Sequence, residues 1–186
     1  MKSSVGAKIG TGFAIALLIL LIIGAVSYNS INKLTDANDL VTHTYQVREH
    51  LRTILQALTD AETGQRGFII TADPTYLEPY TRGSKNVDNE ISALQPLLLD
   101  AALQGDLSQL QALAQQRLAL LKDVLDVQKA KGNDAAEKAV VSNNGKQKMD
   151  DIRDLIIKMQ AAESDALTTR AADAAASAQH AENIIL

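Results

Sequence analysis

From Leu51 to Ile70 the chain reads LRTILQALTDAETGQRGFII, and the spacing of its apolar residues decides the fold. Leu51, Leu55, Leu58, Glu62, Gln65 and Ile69 recur at alternating steps of four and three, the rhythm of a helix that buries one stripe. Leu34, Val41 and Arg48 carry the rhythm backwards and predict a single helix of about 35 residues. Its stop signal is Thr71-Ala-Asp73-Pro74, where Asp73 suits an N-cap and Pro74 the first position of the next helix.

Working outward, Leu77, Tyr80, Ser84, Val87, Ile91, Leu94 and Leu98 make a second stripe, and Gly105-Asp106 is expected to turn the chain. Leu110, Leu113, Arg117, Leu120, Val124 and Val127 form a third stripe, which stops at Lys131-Gly132-Asn133 with a glycine C-cap. A short helical piece from Asp134 to Val141 precedes Asn143-Asn144-Gly145. Met149, Ile152, Ile156, Met159, Glu163, Ala166 and Arg170 line the last helix. Four long amphipathic helices joined by short turns predict an all-α chain built as an antiparallel four-helix bundle.

Before this bundle the chain is of another kind. From Ile9 to Asn32 no side chain is charged, and Phe13 to Val26 is almost wholly apolar. At ~1.5 Å per residue, about 20 such residues cross a hydrocarbon layer. Lys2 and Lys8 precede the stretch and the first acid, Asp36, follows it, which puts the N-terminus in the cytoplasm. Residues 1–8 then read as a cytoplasmic N-terminus, 9–30 as a transmembrane helix and 31–183 as an extracytoplasmic domain. A cleaved signal peptide ending near Ala25-Val26-Ser27 is the rival reading, and it leaves the rest of the chain on the same side. Ile184-Ile185-Leu186 reads as the start of a second membrane helix, with the chain cut there.

Composition narrows the chemistry. The chain of 186 residues has 18 basic and 22 acidic side chains, and all the acids lie after the apolar stretch. Nucleic acid needs a basic face and stacking aromatics, whereas this domain is acidic and aromatics make up 3% of the chain. Without Cys there are no disulfides, thiolate metal sites or Cys nucleophiles. The sequence has no P-loop, HExxH, GxSxG or EF-hand spacing, so it offers no catalytic residues and no cofactor or metal ligands.

Two separated blocks carry a resemblance. Asp60-Ala-Glu62-Thr-Gly64-Gln65-Arg66-Gly67-Phe68, followed by Tyr76-Leu77-Glu78-Pro79-Tyr80, is similar to the signature of the third type of CHASE sensory domain. Gly145, Met149-Asp150, Ile152-Arg153, Met159, Glu163, Leu167 and Arg170 resemble the pattern of that domain's last helix, with Ala166 where a Leu is common. The resemblance spans about residues 36–175. It implies an extracytoplasmic helical sensor in a bacterial inner membrane, periplasmic, set between two membrane helices and feeding a cytoplasmic output domain in cis. That output would be a histidine kinase first, with a diguanylate cyclase or chemoreceptor module as the other choices. A parallel homodimer is expected, since two-span receptors measure helix displacement against a partner. The resemblance names no ligand. The alternative is a singly anchored periplasmic scaffold or partner-binding bundle with no signalling output.

Glu62 and Gln65 of the first helix and Glu163 and Arg170 of the last fall on seam positions and are expected to form one charged layer. Arg66 is the candidate cation for Glu62, and Arg170 for Glu163. Such a layer either sets helix register or contacts a ligand. Gly64 and Gly67 each cost ~1 kcal/mol in a helix and are expected to admit a close neighbour. His43 and His50 are seven residues apart, too far for one metal, and read as solvated. His180-Ala-Glu182 has no better claim to a function. Asp150, Asp151 and Asp154 read as a solvated acidic face rather than a cation site.

Overall fold

The computed structural model describes residues 5–98 and 100–185, leaving out the side chains of Val5, Ala7, Lys8, Leu34, Ala174 and residues 177 onward. Lys2, Lys8, Leu34, His180-Ala-Glu182 and Ile184-Ile185-Leu186 therefore fall, as side chains, outside the described residues. The described chain is helical, with α1 at Val5–Thr71, α2 at Glu78–Leu94, α3 at Ala101–Lys131, α4 at Asn133–Ser142 and α5 at Gly145–Ile185. Its contacts divide it into two units, His43–Thr168 and the described residues on either side of that span.

In the flanking unit, α1 holds the one stretch among the described residues that is long and apolar enough to cross a membrane, and none of it is buried. Phe13, Leu20, Leu21 and Val26 are all at least 60% exposed. A face this apolar is stable in lipid and costly in water.

The His43–Thr168 unit is a four-helix bundle of α1, α2, α3 and α5, with α4 as a short fifth helix. Its core draws Leu51, Ile54 and Leu58 from α1, Val87, Ile91 and Leu94 from α2, Leu107 and Leu110 from α3, and Ile152 and Met159 from α5. A smaller cluster of Ile69, Val124 and Ala136 closes the far end of α1, with Val140 of α4 packed on it.

The turns follow local chemistry. Ala72 takes a left-handed φ of 57°, its N–H donates to Phe68 O at 2.8 Å, and α1 stops. Asp73 then accepts from the Thr75 N–H at 2.9 Å and caps a 3-10 turn, Pro74–Leu77, from which α2 continues. The expected turn at Gly105-Asp106 is displaced: both residues lie inside α3, and the chain leaves α2 through a 3-10 piece, Gln95–Leu97, before Asp100 caps α3. Pro96 cannot donate to a continuing helix, and Asp100 accepts from the Ala102 N–H at 2.6 Å, so a cap and a proline together outweigh one helical glycine. Gly132, at φ 80°, ends α3 as expected.

Two stripes are rotated from their expected faces. On α1 Leu51, Leu58, Gln65 and Ile69 are buried as expected, but Thr44, Val47, Ile54 and Ala61 complete the line, which leaves Val41 and Arg48 exposed and Glu62 on the flank. On α3 the buried line is Leu103, Leu107, Leu110, Ala114, Arg117, Leu121, Val124 and Gln128, with Leu113, Leu120 and Val127 half-buried. A straight helix of 3.6 residues per turn drifts by ~20° per heptad against a strict seven-residue pattern, so extrapolated stripes lose the face.

Candidate functional site

Glycine sets the α1 to α2 crossing. A Cβ on Gly64 would lie 2.6 Å from Tyr80 N and 2.9 Å from Tyr76 O, and one on Gly67 would lie 2.6 Å from Tyr76 Cδ1. Gly83 of α2 meets Ala57 O of α1 still more closely. The family-like residues Gly64, Gly67, Tyr76 and Tyr80 are thus one packing contact, in which the α1 glycines leave room for the backbone of Tyr76 and Tyr80 and for the Tyr76 ring. Tyr76 is 49% exposed, while Leu77 and Tyr80 are half-buried.

Beside this crossing lies a charged cluster. Glu62 Oε1 meets Arg66 Nη2 at 2.8 Å, and its Oε2 meets Arg117 Nη2 of α3 at 2.8 Å. Arg66 is exposed, but the Arg117 side chain is 5% exposed. Gln65 donates to Leu121 O at 3.0 Å. Gly145, at the start of α5, leaves room for the guanidinium, since a Cβ there would come within 2.7 Å of Arg117 Nη1. Arg117 is the residue that sequence reasoning placed in a stripe without giving it a role. An Arg at a seam position among leucines was the available signal. Farther along the same face, Gln128 donates to Asn133 Oδ1 at 2.8 Å and to Phe68 O at 3.3 Å.

Glu163 belongs to a second cluster. Its Oε1 accepts from the Thr44 hydroxyl at 3.1 Å and lies 3.1 Å from His43 Nδ1, while His43 Nε2 lies 2.8 Å from Leu97 O. Both ring nitrogens of His43 face oxygen atoms, and the tautomer decides which of them donates. His43 precedes Glu62 by 19 residues on the same helix, about 28 Å of rise. The expected single charged layer is therefore two layers far apart. His43 is not a solvated residue, since it stands beside Glu163, while Arg170 is half-buried in the flanking unit. His50 is also paired, with Nδ1 2.6 Å from Glu90 Oε2.

The remaining signature residues sit on the surface. Asp60 accepts from Gln56 Nε2 at 2.7 Å. Asp150 is bound by Lys146 at 2.5 Å and Arg153 at 2.8 Å, and the Lys146 hydrogen bond leads in holding its carboxyl below the usual range. Among the described residues no group of three or more His, Asp or Glu side chains is placed to hold a metal.

No curated protein matches the chain. The crystal structure of the Rhodopseudomonas palustris histidine kinase HK9 sensor domain aligns with a TM-score of 0.46 at 24% sequence identity, over 76% of this chain and 96% of that one. The CHASE3 domain model matches residues 37–173, which hold both polar clusters and the glycine crossing. The chain belongs to the CHASE3 family of sensory domains.

Proposed function

We propose that this chain is the signal-input part of a bacterial membrane receptor, with the bundle outside the inner membrane, in the periplasm, and its N-terminus in the cytoplasm. The observation that carries this reading is the joining of a CHASE3 domain, matched from residue 37, to a wholly unburied apolar stretch within one unbroken helix, α1. A stimulus at the bundle would act by a small shift or rotation of α1 and α5. The output domain in cis is a histidine kinase in this reading, and the chain works as a parallel homodimer. Two associated membrane helices make the second contact, between bundles, nearly intramolecular, so it needs little affinity of its own.

Alkaline phosphatase fused after Gly132 tests the topology, because that enzyme is active only when exported. Activity is expected, and an inactive but stably expressed fusion would overturn the reading. Introducing single cysteines from Val26 to Thr44 into the naturally Cys-free chain tests the dimer. Disulfide yields should peak every three to four positions in native membranes, and flat low yields would remove the dimer.

A further inference from the structure

Two adjoining cavities lie where α1 ends beside α4. The first, of about 120 Å³, is lined by Glu62, Arg117 and Lys146 among others, and the second, of about 390 Å³, by Ile69 and Ile70 among others. They share Arg66, Val140 and Val141, so a polar chamber opens onto an apolar one.

The polar chamber is walled by a buried cation. Arg117 is 4% exposed and its Nε has no hydrogen-bond partner. A buried donor without a partner is costly, and interiors ordinarily satisfy theirs. Arg117, Arg66 and Lys146 line this chamber together with the carboxylate of Glu62, Lys146 also pairing with Asp150, and Glu137 stands at the wall of the second chamber. The apolar chamber has the complementary feature, with Ile70 76% and Val141 87% exposed at its wall. Neither side chain is needed by the core.

We propose that the joined cavity binds a small organic monocarboxylate, with its carboxylate in the chamber of Arg117, Arg66 and Lys146 and its short hydrocarbon chain along Ile70 and Val141. A monoanion suits the charge, because Glu62 already occupies part of the guanidinium capacity and, with Glu137 at the second chamber, would repel a dianion. The hydrocarbon part suits the second chamber, where an inorganic anion would leave the aliphatic wall wet. Glu62, Gln65 and Arg66 of the family-like signature then line a ligand site as well as a packing contact. The inference names the ligand class of the sensory reading and rests on it.

The test is calorimetric titration of the whole chain in lipid nanodiscs with sodium acetate, propionate and butyrate, and with butyramide as the uncharged control, at constant ionic strength. The acids are expected to bind and butyramide is not, with affinity rising about fourfold per added methylene. Lys146→Gln should weaken all three acids, and Val141→Asn should flatten the gain with chain length. Both positions are exposed, at 91% and 87%, so the bundle survives either change. Butyramide binding as tightly as butyrate, no binding of any acid, or unchanged affinities in the two variants would each overturn the proposal. The readout involves no output domain, so its failure removes this ligand class while topology and cross-linking judge the sensory reading separately.

Discussion

The two polar clusters of the bundle solve one problem in different ways. Around Glu163, which is 1% exposed, the carboxylate is held by a hydroxyl and an imidazole whose far nitrogen is anchored on a backbone carbonyl. Around Glu62 the carboxylate is shared by two guanidiniums, and the Nε of the buried one has no hydrogen-bond partner. The first cluster meets a buried charge with short side chains that fit the seam. The second brings in a large cation and leaves a cavity around it. A closed cluster specifies which helices meet, whereas an incompletely satisfied one retains the capacity to bind something else.

The largest effect should come from Glu62→Ala. It strands the Arg117 guanidinium and is expected to cost on the order of 3–5 kcal/mol, read from denaturant or thermal melting of the whole chain. Glu163→Ala leaves His43 and Thr44 without their acceptor and should cost less, about 1–3 kcal/mol. If Glu163→Ala proves the more damaging of the two, the contrast between the clusters is reversed. Glu78→Ala removes an exposed pair with Arg82 and should cost about 0–1 kcal/mol, a reference outside both clusters. Equal melting temperatures for Glu62→Ala and Glu78→Ala would reduce the Glu62 cluster to surface decoration.

The smallest effect concerns Asp73. The Thr75 N–H holds its carboxyl below the ordinary value, so the cap favours the folded state above the unfolded carboxylate range, near pH ~3.9. That contribution is lost as pH falls through the lower folded value. Asp73→Ala should therefore lower the melting temperature at neutral pH, with the gap to wild type closing below pH ~4. A gap that stays constant down to the acid limit would mean that the side chain supports the turn only through its shape.

The elements readable in the sequence were those set by local chemistry. The Asp73-Pro74 stop, the Gly132 cap, the short α4 and the glycines at 64 and 67 each depend on a few neighbouring residues. What escaped depends on relative rotation of helices. Whether Val47 or Arg48 faces the core is a difference of one position, about 100° around α1, and only the packing of the other three helices fixes it. The same rotation turned His43 inward and brought Arg117 to Glu62 across 55 residues of chain, a pairing that no spacing within one helix could announce. The turn before α3 rests on Pro96 and the Asp100 cap, local signals that outweigh the helical glycine at 105.

His43 and Glu163 are 120 residues apart in sequence, and the core they cap is closed by helices from opposite ends of the domain. During synthesis at ~5–20 residues per second, α1 therefore waits roughly 6–24 s for the α5 residues that complete its burial. Helices α2 to α4 emerge in the meantime and can pair locally, but Val47, Leu51 and Ile54 still lack Ile152, Ile156 and Met159. For that interval the yield of folded protein depends on how the unfinished stripe is shielded after it leaves the ribosome.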